Sequence, residues 1–291
     1  MTYSITIWGA RGSIPTPGPQ TARYGGNTPC VGVEADGPGG RRLVVLDAGT
    51  GIRPLGRELV EAARGALTVD LLLSHTHWDH IQGLPFFAPL FEPHSAVRIW
   101  GPRQGRVDLE QILRQQMNPV VFPVPLDEAD ASLSVTHVEP GSFEVGGFRA
   151  RAMALRHPGT TLAYRLAPDG GGPSLVYVTD NELGPGGTYD VGPRWREELV
   201  AFVGGADVLI HDAMFTAEEL GQFSGWGHST AAEAVRLAAD TGVARLVLFH
   251  HRPERDDADM DAFVAEAQRL AAREHRGLDV VGATEGLRLN L

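Results

Sequence analysis

Six consecutive residues, His75-Thr76-His77-Trp78-Asp79-His80, offer three imidazoles and a carboxylate. These are hard-to-borderline donors suited to zinc, manganese or iron, and desolvating so many of them together without a cation is costly. The apolar run Leu71-Leu72-Leu73 leads into this cluster through Ser74. Three further apolar runs end in the same kind of chemistry: Leu175 to Thr179 leads into Asp180, Val208-Leu209-Ile210 into His211-Asp212, and Leu246 to Phe249 into His250. Taken singly, each is also the polar residue expected where a strand leaves a core. Together they are expected to converge on one rim, because ligands of open α/β sheets bind beyond the carboxyl ends of the strands.

The elements that must position these residues are legible as short apolar runs. Ile5 to Trp8, Leu43 to Leu46, Val69 to Leu73, Val97 to Trp100, Leu175 to Val178, Val208 to Ile210 and Leu246 to Phe249 suit strands buried on both faces. Helical patterns occupy Ile52 to Ala63, Val107 to Met117, Trp195 to Val203, Thr230 to Ala239 and Asp257 to Ala272. In the last of these, apolar residues recur at steps of three and four. From Leu133 to Ala154 short alternating segments with turn glycines at Gly141, Gly146 and Gly147 predict antiparallel hairpins. Pro15 to Gln20, Gly37 to Arg42, Pro168 to Pro173 and Gly184 to Gly192 read as loops within one domain spanning residues 1–291. A mixed α/β sandwich follows.

Bulk properties narrow the function classes. Thirty-six acidic against twenty-five basic residues give a net charge of −11, which argues against a long nucleic acid as partner. A small anion held at a local positive centre remains compatible, because two divalent cations can reverse the field inside one pocket. No apolar run approaches the roughly 20 residues needed to span a bilayer. With no basic, apolar leader after Met1, the cytoplasm is the expected location. The one cysteine, Cys30, excludes an internal disulfide and a cysteine-based metal site, so any metal must sit on histidine and carboxylate.

The segment His75 to His80 resembles the H-x-H-x-D-H signature of the metallo-β-lactamase superfamily, and the resemblance covers nearly the whole chain. It implies a four-layer αββα sandwich, with two mixed sheets packed face to face and helices outside. It also implies two divalent metal ions, zinc first, with manganese or iron as alternatives. By that likeness His75, His77 and His157 bind one metal, Asp79, His80 and His250 bind the other, and Asp180 bridges both. His251 adjoins His250 and is a competing candidate. Asp47 in Asp47-Ala48-Gly49 resembles the superfamily's D-x-G turn and is expected to steady a ligand histidine from behind. Asp212 fits a similar role or a helix cap. His94, His137 and His275 match no motif and are expected at the surface or behind the site.

Gly227-His228-Ser229-Thr230 resembles the G-H-S-T element of the branch containing tRNA 3′-processing nucleases and small-molecule phosphodiesterases. Thr230 and Glu233 have capping-box spacing, which places His228 just before a helix start that favours anions. That helix end is expected to weaken the proton affinity of His228 until a phosphate binds. The alternative is that His228 only caps the helix. The loop Gly9 to Ser13 with Arg23 to Thr28 resembles the opening of bacterial members of this branch, and Arg11 or Asn27 is a candidate substrate contact. Pro85 to Pro89 is a candidate pocket lip, with core packing as the alternative.

Two metals about 3.5 to 4 Å apart activate a bridging water and support both oxygens of an in-line displacement. The expected reaction is attack of a bridging hydroxide, oriented by Asp180, on a small phosphodiester or cyclic phosphate. His228 then stabilises or protonates the leaving oxygen. True β-lactamases usually carry a cysteine ligand, and oxygen-reducing relatives a carboxylate at the position of His77. Thioester and lactone hydrolases do not ordinarily bring G-H-S-T. Full tRNA 3′-processing enzymes insert a long basic arm between the residues matching His157 and Asp180, whereas here 23 positions, 157 to 180, contain Arg165 as the sole basic residue. RNA 3′ processing therefore ranks second, and a non-catalytic metal- or ligand-binding accessory third. Dimers are common among similar proteins, so a homodimer stays open.

Overall fold

The computed structural model describes residues 2–37, 40–63, 65–274 and 277–291. The apolar runs form strands, and they do so in two groups. β1 (Tyr3–Gly9), β2 (Cys30–Gly37), β3 (Gly40–Leu46), β4 (Thr68–Leu72), β5 (Ala96–Gly101) and β6 (Ser132–His137) build the first sheet. β7 (Gly141–Val145), β8 (Phe148–Ala154), β9 (Leu162–Pro168), β10 (Leu175–Val178), β11 (Val208–Asp212), β12 (Arg245–Phe249) and β13 (Asp279–Gly282) build the second. β14 (Arg288–Asn290) returns to the first sheet beside β1. Each sheet has an antiparallel half and a parallel half, β3 to β6 in one and β10 to β13 in the other.

The inner faces share one apolar core, in which Ile5, Val33, Val44 and Leu72 of the first sheet meet Phe148, Leu166, Leu175 and Phe249 of the second. Helices cover the outer faces: α1 (Ile52–Ala62) and α3 (Leu109–Gln116) on the first sheet, α4 (Trp195–Val203), α6 (Ala231–Asp240) and α7 (Asp257–Glu274) on the second. Between α1 and α3 lies one turn of helix, α2 (Trp78–Ile81), and before α6 the short α5 (Ala217–Phe223). The arrangement is the expected αββα sandwich. α1 shows why its sequence is helical there: Ile52, Leu55 and Leu59 fall on the buried face at steps of three and four.

Two readings of the chain change. Leu133 to His137 is no hairpin arm but the edge strand β6, parallel to β5. Alternation shows that one face is wet and says nothing of the partner's direction. Gly40 to Arg42 pairs with β2 as strand rather than loop. The turn at Gly146-Gly147 holds: both residues have positive φ, +54° and +79°, as a two-residue hairpin turn between β7 and β8 demands.

Candidate metal centre

The parallel strands of both halves end at one rim. Leaving β4 through Ser74, the chain delivers His75, His77 and, on α2, Asp79 and His80. Asp180 follows β10, His250 follows β12, and His157 sits in the connection from β8 to β9. Four ligand atoms from His75, His77, His157 and Asp180 lie within 4.8 Å of one another, and so do four from Asp79, His80, Asp180 and His250. Residues as far apart as Asp79 and His250 come to 3.1 Å, Oδ2 to Nε2.

Asp180 belongs to both groups and splits its carboxylate between them. Its Oδ2 faces His75 Nε2 at 3.6 Å and His157 Nε2 at 3.5 Å. Its Oδ1 faces His80 Nε2 at 3.1 Å and His250 Nε2 at 3.2 Å. His77 Nδ1 approaches His157 Nε2 to 2.9 Å, and His80 Nε2 approaches His250 Nε2 to 3.4 Å.

His75, His80 and His157 are steadied from behind, which fixes the nitrogen that points inward. Asp47 Oδ2 accepts from His80 Nδ1 at 2.8 Å and from the Tyr177 hydroxyl at 2.7 Å, while Asp47 Oδ1 accepts from the Ser74 amide at 2.7 Å. His157 Nδ1 donates to the Gly227 carbonyl at 2.9 Å. Asp79 Oδ2 accepts from the Ser13 amide at 2.7 Å. The loop around Ser13 is tied to the end of β12, because the amide of Gly12 donates to the His251 carbonyl and that of His251 to the Ala10 carbonyl.

Burial sets the protonation of these groups. It pushes His75 well below the usual imidazole range, lowers His77, and brings His157 down to about 4, so these three rings present free lone pairs. At His80 burial acts the same way, but Asp180, Asp79 and Asp47 outweigh it and raise the ring's proton affinity, so a cation binding at Nε2 displaces a proton there. Burial alone would raise the carboxyls of Asp79 and Asp180, and the surrounding imidazoles hold both well below the usual range. The donor chemistry of this enclosure suits a cation. His75 Nε2, buried and aimed inward, has no hydrogen-bond partner, and an all-imidazole and carboxylate donor set suits zinc, manganese or iron. The residues fit two divalent ions.

His228 adjoins the second group through His250. Its ring stacks on His250 at 5.0 Å between centroids and stands edge-on to His157 at 5.2 Å. Thr230 caps α6 with Glu233 in the expected capping box. The expected weakening of His228's proton affinity is overturned: burial pulls that way, but Asp212 Oδ2, 2.7 Å from Nδ1, pushes the imidazolium up to about 9. Asp212 caps no helix, since α5 starts from Thr216. Instead it also receives the amides of Asn181 and Met214 at 3.2 and 2.9 Å.

Other candidates resolve differently. Arg11 is fully buried and spends its guanidinium on the carbonyls of Gly25, Arg252 and Arg255. Asn27 is held by Glu285 through its amide and side chain. Both fasten the N-terminal loop. His251 Nε2 donates to the Ala283 carbonyl at 2.8 Å and packs on Tyr24, which leaves the centre to His250. His211 turns its Nδ1 to the Asp212 carbonyl, away from the two groups. Phe87 is core and Phe86 is 57% exposed, so Pro85 to Pro89 divides between the two alternatives. His94 and His137 are exposed, and His275 lies outside the described residues. Reasoning from sequence missed Ser13, Tyr177 and Glu182. Tyr177 carried only the signal of a core strand. Glu182, buried, accepts from Tyr189 and from the amides of Gly225 and Gly227, and so pins the turn that orients His157 and carries His228.

An αββα sandwich with a histidine and aspartate rim where its parallel strands end defines the metallo-β-lactamase fold class. A family model described as the β-lactamase superfamily domain matches residues 42–251, and the chain belongs to that family. The ribonuclease Z of Haloarcula marismortui is 26% identical over 307 residues, with 92% of each chain covered. Among solved structures, the metallo-β-lactamase-fold protein YhfI of Bacillus subtilis superposes with a TM-score of 0.69 at 21% identity, covering 100% of this chain and 99% of its own. Unliganded yeast PDE1 superposes with a TM-score of 0.71 at 16% identity, covering 100% and 99%. These likenesses establish the fold, and the fold family implies divalent metal ions. Among the described residues no helix is long and apolar enough to cross a membrane.

Proposed function

We propose that this chain is a dinuclear metal-dependent hydrolase that cleaves a small phosphodiester or cyclic phosphate. His75, His77 and His157 hold one ion, Asp79, His80 and His250 the other, and Asp180 bridges them. The observation that carries the reading is the divided carboxylate of Asp180, one oxygen toward each histidine set. Two divalent ions there, zinc first, would supply an activated water and neutralise charge on the phosphoryl group.

The chain's own residues do the rest. Asp47 keeps the His80 proton on Nδ1, and the Gly227 carbonyl does the same for His157, so both Nε2 atoms stay available. Every proposed donor is buried except His77, which is exposed. His228, held as imidazolium by Asp212, faces the rim without a second carboxylate of its own. It stabilises or protonates the departing oxygen, a contribution of roughly 10² to 10⁴ in rate. The reading takes residues 1–291 as one domain in the cytoplasm, in keeping with a lone buried cysteine.

A small substrate is favoured by the net charge of −11. It is favoured too by the interval from His157 to Asp180, which is spent on β9, β10 and the turn between them. The relatives named ribonuclease Z favour a second reading, RNA 3′ processing. The experiment is metal analysis of purified protein, then turnover of bis(p-nitrophenyl) phosphate, its monoester, a thioester, a lactone and a precursor tRNA. Diester turnover that falls at least 100-fold in His228→Ala with metal content unchanged is the expected result. An unchanged rate removes His228 from the mechanism. Processing of the tRNA with inert small diesters transfers the function to RNA, and two bound metals with no turnover of anything leave a binding role.

A further inference from the structure

The second donor set, Asp79, His80 and His250, differs in its backbone surroundings from the first, His75, His77 and His157. Among the described residues four other than glycine have positive φ: Ser13 (+64°), Asp47 (+61°), His94 (+71°) and His250 (+59°). L-residues enter this left-handed region at a cost, and they stay there where the surrounding structure over-determines them. His94 is exposed in a turn. The other three converge on the second set. His250 belongs to it, Asp47 accepts from His80 Nδ1, and the Ser13 amide donates to Asp79 Oδ2. No residue of the first set has this conformation.

Residues 11–13 reach the second set from a distant part of the chain. Gly12 lies against the His250 ring, where a Cβ would meet both Nδ1 and Cε1 at 2.5 Å. The stretch runs beside the end of β12: the Gly12 amide donates to the His251 carbonyl at 2.9 Å, and the His251 amide to the Ala10 carbonyl at 2.8 Å. Between these bonds the buried Arg11 guanidinium donates to the carbonyls of Gly25 and Arg255 at 2.8 and 2.7 Å, which anchors the stretch on both sides. Ser13 itself is exposed, so side-chain packing does not account for its φ. What the conformation achieves is to turn the amide onto Asp79 Oδ2 at 2.7 Å. That oxygen is also the one 3.1 Å from His250 Nε2 and 3.4 Å from His80 Nε2. With one lone pair taken by the amide, the other is directed into the second set.

We propose that Gly12 and Ser13 are positioning residues of the second ion's site, so that docking of the N-terminal loop and binding of that ion are coupled, with no such dependence at the first site. The proposal rests on the two-ion reading and deepens it. Linkage makes the coupling reciprocal: whatever the docked loop adds to the ion's affinity, the ion adds to the docking of the loop.

The test is chelator-competition titration with zinc, repeated with cobalt(II), whose visible absorption reports ligand geometry. It compares the parent protein with Gly12→Ala, with Ser13→Gly and with a protein carrying an ester in place of the Gly12–Ser13 peptide bond, which removes the amide donor and keeps the side chain. His77→Ala and His250→Ala identify which step belongs to which set. Gly12→Ala and the ester are expected to weaken the second-set step about 10- to 100-fold, the range of an outer partner, and to alter the cobalt spectrum of that step alone. An unmoved first step shows that the fold is intact. Ser13→Gly keeps the amide and adopts a φ of +64° without strain, so it should retain the second step. Exchange of the residue 13 amide with solvent should slow when the second set fills and stay unchanged when the first does. A loop that serves the fold alone shifts both steps together or neither, and either result overturns the proposal, as does amide exchange indifferent to the second ion. A parent protein that takes up no ion at the second set defeats the two-ion reading and this proposal together, whereas two unshifted steps in the variants defeat this proposal alone.

Discussion

Replacing Asp47 by asparagine tests the link between the buried carboxylate and one metal site, and its effect follows from counting donors. Asp47 Oδ2 receives the Ser74 hydroxyl at 2.8 Å, His80 Nδ1 at 2.8 Å and the Tyr177 hydroxyl at 2.7 Å, and Oδ1 receives the Ser74 amide at 2.7 Å. A carboxylate accepts from all four, whereas an amide must turn its NH₂ toward one side. Facing Oδ1's place, the NH₂ meets the Ser74 amide, which cannot become an acceptor, and a buried donor is left unsatisfied at a cost of about 1 to 3 kcal/mol. Facing Oδ2's place, it is accommodated by the two hydroxyls, which can rotate, but His80 can accept only by moving its proton to Nε2. That nitrogen is the one 3.1 Å from Asp180 Oδ1. Its lone pair is then lost to a metal. Outer partners of this kind are worth about 10- to 100-fold in metal affinity, or about 1.4 to 2.7 kcal/mol. The loss should be confined to the set Asp79, His80 and His250. Titration against a chromophoric chelator is expected to show two binding steps in the parent protein and, in Asp47→Asn, one step retained and one weakened by that factor. Two unshifted steps refute the argument, and equal weakening of both refutes its confinement to one site.

The remaining predictions concern the other supports. In Asp180→Asn the amide keeps one acceptor and turns its NH₂ toward one histidine set, so metal content should fall from two ions per chain to one or none; two retained ions would remove the bridging role. In Gly227→Ala a Cβ would lie 2.2 Å from His157 Nδ1 and 2.7 Å from Pro158 Cδ, at a φ of +86°. His157 must move by about an ångström, a displacement that can cost on the order of 10²-fold in turnover, and a parental rate would show that the turn yields instead. Asp212 holds His228 at about 9, above its ordinary 6.5. The native state thus keeps a proton that the unfolded chain releases, and the stability this adds is full below pH about 6.5 and vanishes as pH rises through about 9. Asp212→Asn should flatten the fall of the thermal midpoint across that window, and identical pH profiles for the two proteins would refute the pairing.

Much of this protein was legible along the chain because its chemistry is local there. Four donors within His75 to His80 follow one strand, and no fold is needed to see that such a segment wants a cation. Buried parallel strands announce themselves as apolar runs, and the positions after four of them carry histidine or aspartate. What the chain could not disclose depends on contacts between residues far apart in sequence. Which oxygen of Asp180 faces which histidines is set by side chains that follow β4, β10 and β12 meeting in space. His228 is charged because Asp212, at the end of another strand, meets its Nδ1. Arg11, a charged residue in a glycine-rich loop, was with Asn27 a candidate for facing a ligand, and its guanidinium is buried against three carbonyls. Side-chain type can nominate a ligand, but its aim is a property of the packed molecule, because distant backbone groups decide which nitrogen or oxygen is left free.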